Sequence, residues 1–328
     1  MLALAQISVH ISQFPENVRR DLLESLRHRK INHKFHYDSV KQAHRWLALH
    51  KVYSPFVTDP DCATIYDHAF AAVTHRLQQP SIQVIGLGCG GGQKDVRLLR
   101  LLVNSGKQTS YTPADVSSAM VLIARQAALE VIKEQNCFPL VLDLATAGHL
   151  QSVLGELSVR DATRLITLFG MLPNFEPKSL LPTLCSFIQP GDYLLLSANL
   201  APGRDYAVGV RTVLPLYDNE LTKEWLITFL MDLGVGREDG IIQFVIEDDL
   251  ESGLKRIAAY FVFKQACEIR MESEHFVFKP TDSIRLFFSY RHTRQLLHSM
   301  LRPFGLKVVE EWISSSGEEG VFLVQGTA

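Results

Sequence analysis

The glycines of Ile85–Lys94, which reads IGLGCGGGQK, are the residues whose type and spacing most clearly suit chemistry. The segment joins a strand-like run to a helix-like run, where glycines let backbone N–H groups approach an anionic ligand. Gly86, Gly88 and Gly91 fit the G-x-G-x-x-G dinucleotide pattern. With Gly90, the first two fit equally the G-x-G-x-G pattern of enzymes that use S-adenosylmethionine (SAM). No G-K-[ST] follows, which excludes a P-loop. The loop predicts a nucleotide-like cofactor without choosing between NAD and SAM.

Two aspartates follow at the ends of later strand-like runs. Asp115, in YTPADVS, is spaced to accept both hydroxyls of a ribose, which NAD and SAM share. Its alternative role is to cap the helix that follows. Asp143, in LVLDLA, is placed to accept the amino group of adenine. Asp143 and a final helix and β-hairpin, in place of another βα unit, favour SAM.

Alternating strands and helices must position these residues. Residues 16–80 predict helices, and from residue 81 to about residue 200 strand-like and helix-like runs alternate. This alternation predicts βαβ units and a parallel sheet. The strand-like runs are SIQVIGLG, SYTPADVS, FPLVLDLA, RLITLFGML and YLLLSANL. Beyond them we expect one helix, LTKEWLITFLMDLGV, several antiparallel strands, a second helix and a closing hairpin.

We therefore expect an α/β fold with a Rossmann-like parallel sheet and a terminal β-hairpin, as in class I SAM methyltransferases. A smaller α+β substrate domain would join the N-terminal helices to an insertion. The predicted boundaries are 1–75 for the helical part of the substrate domain, 76–200 for the SAM-binding domain, 201–290 for the insertion and 291–328 for the return to the SAM-binding domain.

Composition excludes several function classes. The formal charge of −2 predicts no nucleic-acid partner, and the basic residues of 19–30 are typical of a solvated helix face. Five cysteines without a C-x-x-C pair are typical of reduced thiols in the cytoplasm. No apolar run approaches the roughly 18 residues of a membrane span. The 12 histidines form no H-x-x-x-H or Cys/His cluster, so we expect no metal.

Seven motifs, in this order and spacing, resemble the histidine-specific SAM-dependent methyltransferases: IGLGCGGGQK, YTPADVSS, LVLDLA, LFGMLPNFEP, PGDYLLLSANL, PLYDNEL and IRLFFSYRHT. The resemblance spans about residues 30–326. Such enzymes trimethylate the α-amine of histidine in ergothioneine synthesis, and fungal relatives methylate the amine of a prenylated tryptophan. The resemblance implies a SAM-dependent N-methyltransferase for the amine of an amino acid or a related small molecule.

The resemblance also implies roles for individual residues. The implied cofactor-binding residues are Gly86, Gly88, Cys89, Gly90, Lys94, Asp115, Val116, Asp143, Leu144 and Gly170. The implied substrate-binding residues are Tyr37, Tyr53, Asn174, Tyr217, Phe287 and Ser289. Lys94 would stand near the cofactor carboxylate, Tyr217 would grip the substrate carboxylate, and Ser289 would lie near the substrate ring. We expect Tyr37 to be catalytic, because its hydroxyl would hold the amine lone pair towards the methyl group. Packing of half-buried tyrosines between helices is the alternative for all three tyrosines.

One departure from the family pattern bears on the substrate. The histidine enzymes carry a glutamate two residues before the serine, where it accepts the imidazole N–H, and this chain has Phe287 there. A phenyl ring accepts no such bond, and an unpaired buried N–H costs roughly 1–3 kcal/mol. We therefore expect an acceptor other than histidine, with a less polar or aromatic side chain.

Two alternatives from other classes stay open at this point. A non-catalytic SAM-binding protein of the same fold is compatible with Phe287, and an NAD-dependent oxidoreductase is compatible with the glycine loop. Cys89 invites interpretation as a nucleophile, but no histidine is placed near it by sequence, and small residues are normal in such loops.

Overall fold

The computed structural model describes residues 4–147 and 150–326. Its helices lie close to the predicted segments. In chain order they are α1 (Pro15–Arg27), α2 (Val40–Tyr53), α3 (Pro55–Thr58), α4 (Pro60–Arg76), α5 (Gln93–Asn104), α6 (Ser118–Ala128), α7 (Leu150–Glu156), α8 (Pro177–Phe187), α9 (Tyr206–Val213), α10 (Glu220–Asp232) and α11 (Arg294–Leu301).

The strands fall into three sheets. In chain order they are β1 (Ser8–Val9), β2 (Ser81–Leu87), β3 (Gln108–Asp115), β4 (Leu140–Val141), β5 (Thr163–Leu168), β6 (Tyr193–Asn199), β7 (Gly240–Asp248), β8 (Lys255–Phe263), β9 (Cys267–Met271), β10 (Glu274–Phe278), β11 (Ser283–Arg291), β12 (Leu306–Ile313) and β13 (Glu319–Gly326).

The central sheet has eight strands in the order β1-β4-β3-β2-β5-β6-β13-β12. The pairs from β1 to β6 are parallel, whereas β13 pairs antiparallel with both β6 and β12. Helices join the parallel strands, because a parallel neighbour can be reached only by a crossover connection. The predicted α/β class, the parallel sheet and the terminal hairpin are confirmed.

A smaller antiparallel sheet, in the order β11-β8-β7, and the hairpin β9–β10 come from the segment predicted as an insertion. Its core is shared with the N-terminal helical region, since Leu26 and Phe35 pack with Trp225 of α10 and Phe261 of β8. Helix α4 packs elsewhere: Phe70 and its neighbours lie in a core with β2 and β6 of the central sheet. The four domain boundaries stay a prediction.

Local chemistry explains several element ends. Gly106 follows α5 with a φ of +79°, the left-handed conformation expected just past a helix end. Ser117 caps α6 by accepting the N–H of Met120. The helix-like run SSAMVLIARQAALEVIKEQ forms a helix only as far as Ala128, and the strand-like run FPLVLDLA forms only the two residues of β4.

Two elements had no sequence signal that we used. β1 adds a short parallel edge beside β4 through residues 8–9, although only helices were expected in this region. α9 lies in the insertion between β6 and α10. Within residues 4–147 and 150–326, no helix has both the length and the apolar character needed to cross a membrane.

Candidate functional site

A cavity of about 580 Å³ lies at the carboxyl edge of the central sheet and extends to β11 of the smaller sheet. Open parallel sheets bind ligands at this edge. The predicted residues on its wall are Tyr37, Tyr53, Gly88, Cys89, Gly90, Lys94, Asp115, Val116, Asp143, Leu144, Gly170, Asn174, Tyr217, Phe287 and Ser289. One cavity therefore joins the two sets that were predicted separately for cofactor and substrate.

Gly86 is the exception among the predicted residues, because it is not on the described wall of this cavity. It lies within β2, and a Cβ atom there would be 2.4 Å from Oδ2 of Asp95. That carboxylate is buried behind the loop, where it accepts hydrogen bonds from Tyr111 at 2.6 Å and Thr167 at 2.7 Å. Gly86 makes room for Asp95, and its expected position beside the cofactor stays a prediction.

Gly88 lies close to the side chain of Met171, which also lines the cavity. Its φ is +66°, and a Cβ atom would lie 2.3 Å from Cγ of Met171. A side chain at this position would be strained by both the backbone conformation and the methionine. The loop thus approaches Met171 as closely as a bare backbone allows.

Asp115 is tied to the glycine loop and still has acceptor capacity. Its Oδ2 accepts the N–H of Gly90 and its Oδ1 the N–H of Ser117, both at 3.0 Å. Burial raises the pKa of the Asp115 carboxyl, and these backbone N–H groups oppose the rise. Each oxygen keeps a free lone pair, which suits the two hydroxyls of a ribose.

Asp143 offers a buried acceptor without a hydrogen-bond donor. Its Oδ1 accepts the N–H of Ala145 at 2.9 Å, whereas Oδ2 has no hydrogen-bond partner in the described part of the chain. Nζ of Lys34 lies 3.3 Å from Oδ2 in ion-pair contact, and 2.5 Å from Oδ2 of Asp21. Lys34 is itself buried and was not predicted, because nothing in KFHYDS distinguishes it from an exposed lysine. An amino group from a ligand would satisfy Oδ2 of Asp143.

Lys94 lies among aromatic rings. Its Nζ is 4.4 Å from the ring centre of Tyr66 and donates to the Tyr66 hydroxyl at 2.8 Å. That hydroxyl donates to Glu319 at 2.6 Å. Burial lowers the pKa of Lys94, and the negative charge of Glu319 opposes this effect. Within the described residues Lys94 forms no ion pair, so its remaining N–H groups can receive the carboxylate of a ligand.

Cys89 is not a plausible nucleophile in this setting. Burial, with the charges of Asp115 and Asp95, raises the pKa of its thiol well above the ordinary value. The thiolate is the reactive form of cysteine, and it is suppressed here.

The acceptor end of the cavity is built largely on β11, whose residues Arg285, Phe287, Phe288, Ser289 and Arg291 line it. Alternate residues of a strand share a face, so Phe287, Ser289 and Arg291 lie on one face, whereas the guanidinium of Arg285 lies 4.8 Å from the ring centre of Phe288. The pairing of β11 with β8 shifts register between Arg285 and Phe287. Such a bulge re-aims the side chains beside it. The sequence signal for the two arginines was their spacing of two from predicted residues, which the motif comparison did not use.

Tyr217 and Ser289 belong to one hydrogen-bonded cluster. The Tyr217 hydroxyl donates to Oγ of Ser289 at 2.9 Å and accepts from Nη2 of Arg291 at 2.9 Å. Nδ2 of Asn199 lies 3.4 Å from both hydroxyl oxygens. The groups expected at the substrate carboxylate and at the substrate ring are therefore in direct contact. Arg291 and Asn199 were not predicted.

Phe287 forms part of an aromatic wall. Its ring stacks on His33 at 5.0 Å between centres and meets the edge of Trp225 at 5.6 Å. Nε2 of His33 accepts the N–H of Phe288 at 3.3 Å, which leaves Nδ1 as the protonated nitrogen, buried and without a partner among the described residues. Burial lowers the pKa of His33 well below its ordinary value, so the imidazole is neutral. Sequence reasoning missed His33 and Trp225, which come from distant segments.

Tyr37 has a free hydroxyl in the middle of the cavity wall. Its ring packs against Trp225 at 5.5 Å and Trp46 at 5.9 Å, and its hydroxyl has no hydrogen-bond partner among the described residues. Burial, with the charge of Asp115, raises the pKa of the Tyr37 phenol. The phenol therefore stays protonated and can orient a ligand without acting as a phenolate base.

Three other predicted residues complete the wall. Nδ2 of Asn174 donates to the carbonyl of Phe288 at 2.9 Å, which leaves its amide oxygen for a ligand. The N–H of Gly170 donates to Ser197 at 2.9 Å. Tyr53 is 44% exposed and lies at the rim of the cavity.

The basic residues of α1 are paired within the fold. Arg19 forms an ion pair with Glu272 and Arg27 with Glu274, both on the β9–β10 hairpin. This cluster therefore presents less free positive charge than its sequence indicates.

Comparison with known proteins adds a family and a relative. Residues 18–326 match the profile of the family described as histidine-specific methyltransferase, SAM-dependent. The N-methyltransferase imqF of Aspergillus flavus is 25% identical over 252 residues, which cover 74% of this chain and 67% of that protein. The family match covers every cavity-lining segment named above.

Two solved structures are similar in fold. A SAM-dependent methyltransferase from Clostridium acetobutylicum has 12% identity and a TM-score of 0.45, with coverage of 86% of this chain and 99% of its own. Magnesium protoporphyrin IX methyltransferase from Synechocystis, solved with bound SAH, has 14% identity and a TM-score of 0.46, with coverage of 88% and 95%.

Proposed function

Because the chain belongs to the histidine-specific, SAM-dependent methyltransferase family, we propose that it methylates the amine of an amino acid or related small molecule other than histidine. The chain is a SAM-dependent methyltransferase with a class I fold, and its cofactor is SAM. Family membership removes the NAD alternative. The proposal concerns the acceptor and the residues that bind it.

The residues at the carboxyl edge of the central sheet fit the cofactor. When bound, SAM supplies an electrophilic methyl group on a sulfonium. Asp115 would hold the ribose hydroxyls, Asp143 the adenine amino group beside Leu144, and Lys94 the carboxylate. Oδ2 of Asp143 has no hydrogen-bond donor among the described residues, and this supports the assignment, since a buried acceptor requires a donor. The loop residues that would surround the remaining atoms are Gly88, Cys89, Gly90, Val116 and Gly170.

The observation that carries the proposal is the free, neutral hydroxyl of Tyr37 in the same cavity as Asp115. A neutral phenol can accept an N–H of the acceptor amine and hold the nitrogen lone pair in line for transfer. The amide oxygen of Asn174 can accept a second N–H, and Tyr53 can close the rim. Positioning of this kind lowers the barrier without acid catalysis, because a sulfonium leaving group needs no proton.

The aromatic wall supports an acceptor other than histidine. Phe287, His33 and Trp225 bound the acceptor end, and none of the three carries a carboxylate. An imidazole N–H buried against Phe287 would lack an acceptor at a cost of roughly 1–3 kcal/mol. An apolar or aromatic side chain would fill the same space without that cost. The relative imqF is an N-methyltransferase, which supports nitrogen as the acceptor atom.

Methyl-labelled SAM with the twenty L-amino acids tests the proposal. We expect transfer to the amine of an aromatic or apolar amino acid, with histidine at least roughly 10-fold poorer in kcat/KM, as the unpaired N–H requires. Phe287→Glu restores an acceptor and should raise the relative rate with histidine. Histidine as the best acceptor would contradict the choice of substrate. No transfer to any amine, with SAM bound, would favour a non-catalytic SAM-binding role.

We keep a cytoplasmic location and the absence of nucleic-acid and membrane partners as predictions from composition.

A further inference from the structure

We propose that Arg291 pairs with an anionic group of the acceptor, so that the enzyme selects amino acids with a free carboxylate over amides and decarboxylated amines. This inference rests on the proposed function and deepens it. It assigns the recognition of the substrate's negative charge to Arg291 at the end of β11, a residue to which the family resemblance gave no role.

Arg291 is a buried cation without an anion. It is 5% exposed and lines the cavity, and no carboxylate among the described residues forms an ion pair with it. Two other buried cations are paired in this way: Lys34 contacts Asp21 and Asp143, and Arg164 pairs with Asp192. A buried charge is costly unless it is paired. A bound anion would supply the missing partner.

The hydrogen bonds of Arg291 leave it able to bind that anion. Nη1 donates to the carbonyl of Leu200 at 3.1 Å and Nη2 donates to the Tyr217 hydroxyl at 2.9 Å. Nε is buried and has no partner in the described part of the chain. Since a guanidinium has five N–H groups and no acceptor, most of its donors remain unused.

The neighbouring groups are also donors. Oγ of Ser289 accepts from both Tyr217 and Asn199, so the Ser289 proton is free to donate. The cluster of Asn199, Tyr217, Ser289 and Arg291 therefore presents one positive charge and several donors. A carboxylate, with two acceptor oxygens and one negative charge, matches this cluster better than an amide or an alkyl group does.

The competing role for Arg291 is purely structural. Its guanidinium also lies 5.3 Å from the ring centre of Tyr217 and could serve only to hold that ring. The two roles differ in one measurable way. Loss of a charge partner affects only acceptors that carry the charge, whereas loss of a support for Tyr217 affects charged and neutral acceptors alike.

The experiment compares each L-amino acid with its carboxamide and its decarboxylated amine; for tryptophan these are L-tryptophanamide and tryptamine. In the wild type we expect kcat/KM for the best acid to exceed that for its amide by roughly 10- to 100-fold, as for a charge-assisted hydrogen bond. Arg291→Met should remove this preference while the amide rate stays within about 3-fold. Arg291→Lys should retain part of it, because a lysine keeps the charge but loses the fork.

The control variant is Arg294→Met, which removes an exposed arginine paired with Glu311 and should leave the preference unchanged. Titration with S-adenosylhomocysteine (SAH) and thermal melting establish that each variant is folded. Equal use of acid and amide by the wild type would overturn the inference and leave the proposed function intact. An equal loss with both acceptors in Arg291→Met would assign Arg291 to the support of Tyr217 and also overturn it. No transfer from any compound, with SAH bound, would remove the proposed function and this inference together.

Discussion

The two ends of the cavity are built in different ways. The cofactor end uses turns at the ends of β2, β3 and β4, and its characteristic contacts are bonds from backbone N–H groups to carboxylates, as at Asp115 and Asp143. The acceptor end uses side chains from several separate segments, and its characteristic contacts join side chains far apart in sequence, as between Tyr217 and Ser289. The first depends mainly on backbone groups near the strand ends, whereas the second depends on side chains that only the finished fold brings together.

This difference predicts how each end responds to mutation. A change at the cofactor end should act through backbone conformation and should first lower the affinity for SAM. A change at the acceptor end should act through one side chain and should first alter the turnover rate or the selectivity for the acceptor. Lys34 is where the ends are joined, since it follows α1 and contacts Asp143 at the cofactor end.

Substitution of Lys34 should have the largest effect. Lys34→Met leaves the buried carboxylates of Asp21 and Asp143 facing each other without their shared cation. Breaking a buried ion pair costs about 3–5 kcal/mol. We expect the free energy of unfolding, measured with urea, to fall by that amount, and SAH binding to weaken as well.

The matched control for this prediction is Lys41→Met. Lys41 also pairs with an aspartate, Asp232 at 2.7 Å, but both side chains are about half exposed. Exposed pairs contribute roughly 0–1 kcal/mol, so this variant should unfold almost as the wild type does. Equal stability of the two variants would mean that the buried contacts of Lys34 with Asp21 and Asp143 do not stabilise the fold.

Gly88→Ala tests the backbone-built end with the next largest effect. The methyl group would meet Met171 and would hold a φ of +66° that alanine avoids. Such strain costs roughly 1–3 kcal/mol in the native loop, and a loop that shifts away from Met171 to relieve it loses its fit to the cofactor, so we expect weaker SAH binding by calorimetry. Gly91→Ala is the control, because its methyl group would make only ordinary contacts, with Leu47 at 3.6 Å and Ile123 at 3.9 Å. Similar affinities for both variants would contradict the close approach of the loop to Met171.

The same contrast explains what the sequence could predict. Gly88, Asp115 and Asp143 follow directly from strand-end spacing, because a parallel sheet brings its carboxyl ends to one edge. Gly86 shows a limit of the motif, which cannot tell a glycine that faces a ligand from one that makes room for a buried carboxylate, here Asp95. The central sheet was predictable for the same local reason, whereas β1 is two residues long and pairs only through the finished fold.

The acceptor end was predicted only where family motifs covered it. Arg291, His33 and Trp225 were missed because their proximity depends on how β11, the N-terminal segment and α10 pack together. Each of Arg291 and His33 has one buried nitrogen without a hydrogen-bond partner among the described residues, and a single sequence does not encode burial of a charged or polar residue in any short pattern. The missed residues are therefore concentrated at the end that determines selectivity.

Tyr37→Phe tests the acceptor end with the smallest and most specific change. It removes one hydroxyl and keeps the ring contacts with Trp46 and Trp225. A hydrogen bond of about 0.5–1.5 kcal/mol corresponds to a fall in kcat of up to roughly 10-fold. SAH affinity should stay unchanged, because the hydroxyl makes no bond to the described residues of the cofactor end. A kcat within a factor of two of the wild type would show that Tyr37 does not orient the amine.

The pH profile of the same variant separates orientation from base catalysis. Burial and the charge of Asp115 raise the pKa of Tyr37. The phenol therefore keeps its proton throughout the neutral pH range and at pH values above the ordinary pKa of a tyrosine. The rate should therefore rise with pH only as the acceptor amine loses its proton. Tyr37→Phe should lower the plateau and leave this inflection in place. If Tyr37 acted as a phenolate, the wild type would show a further rise as the phenol ionised, and the variant would lose it.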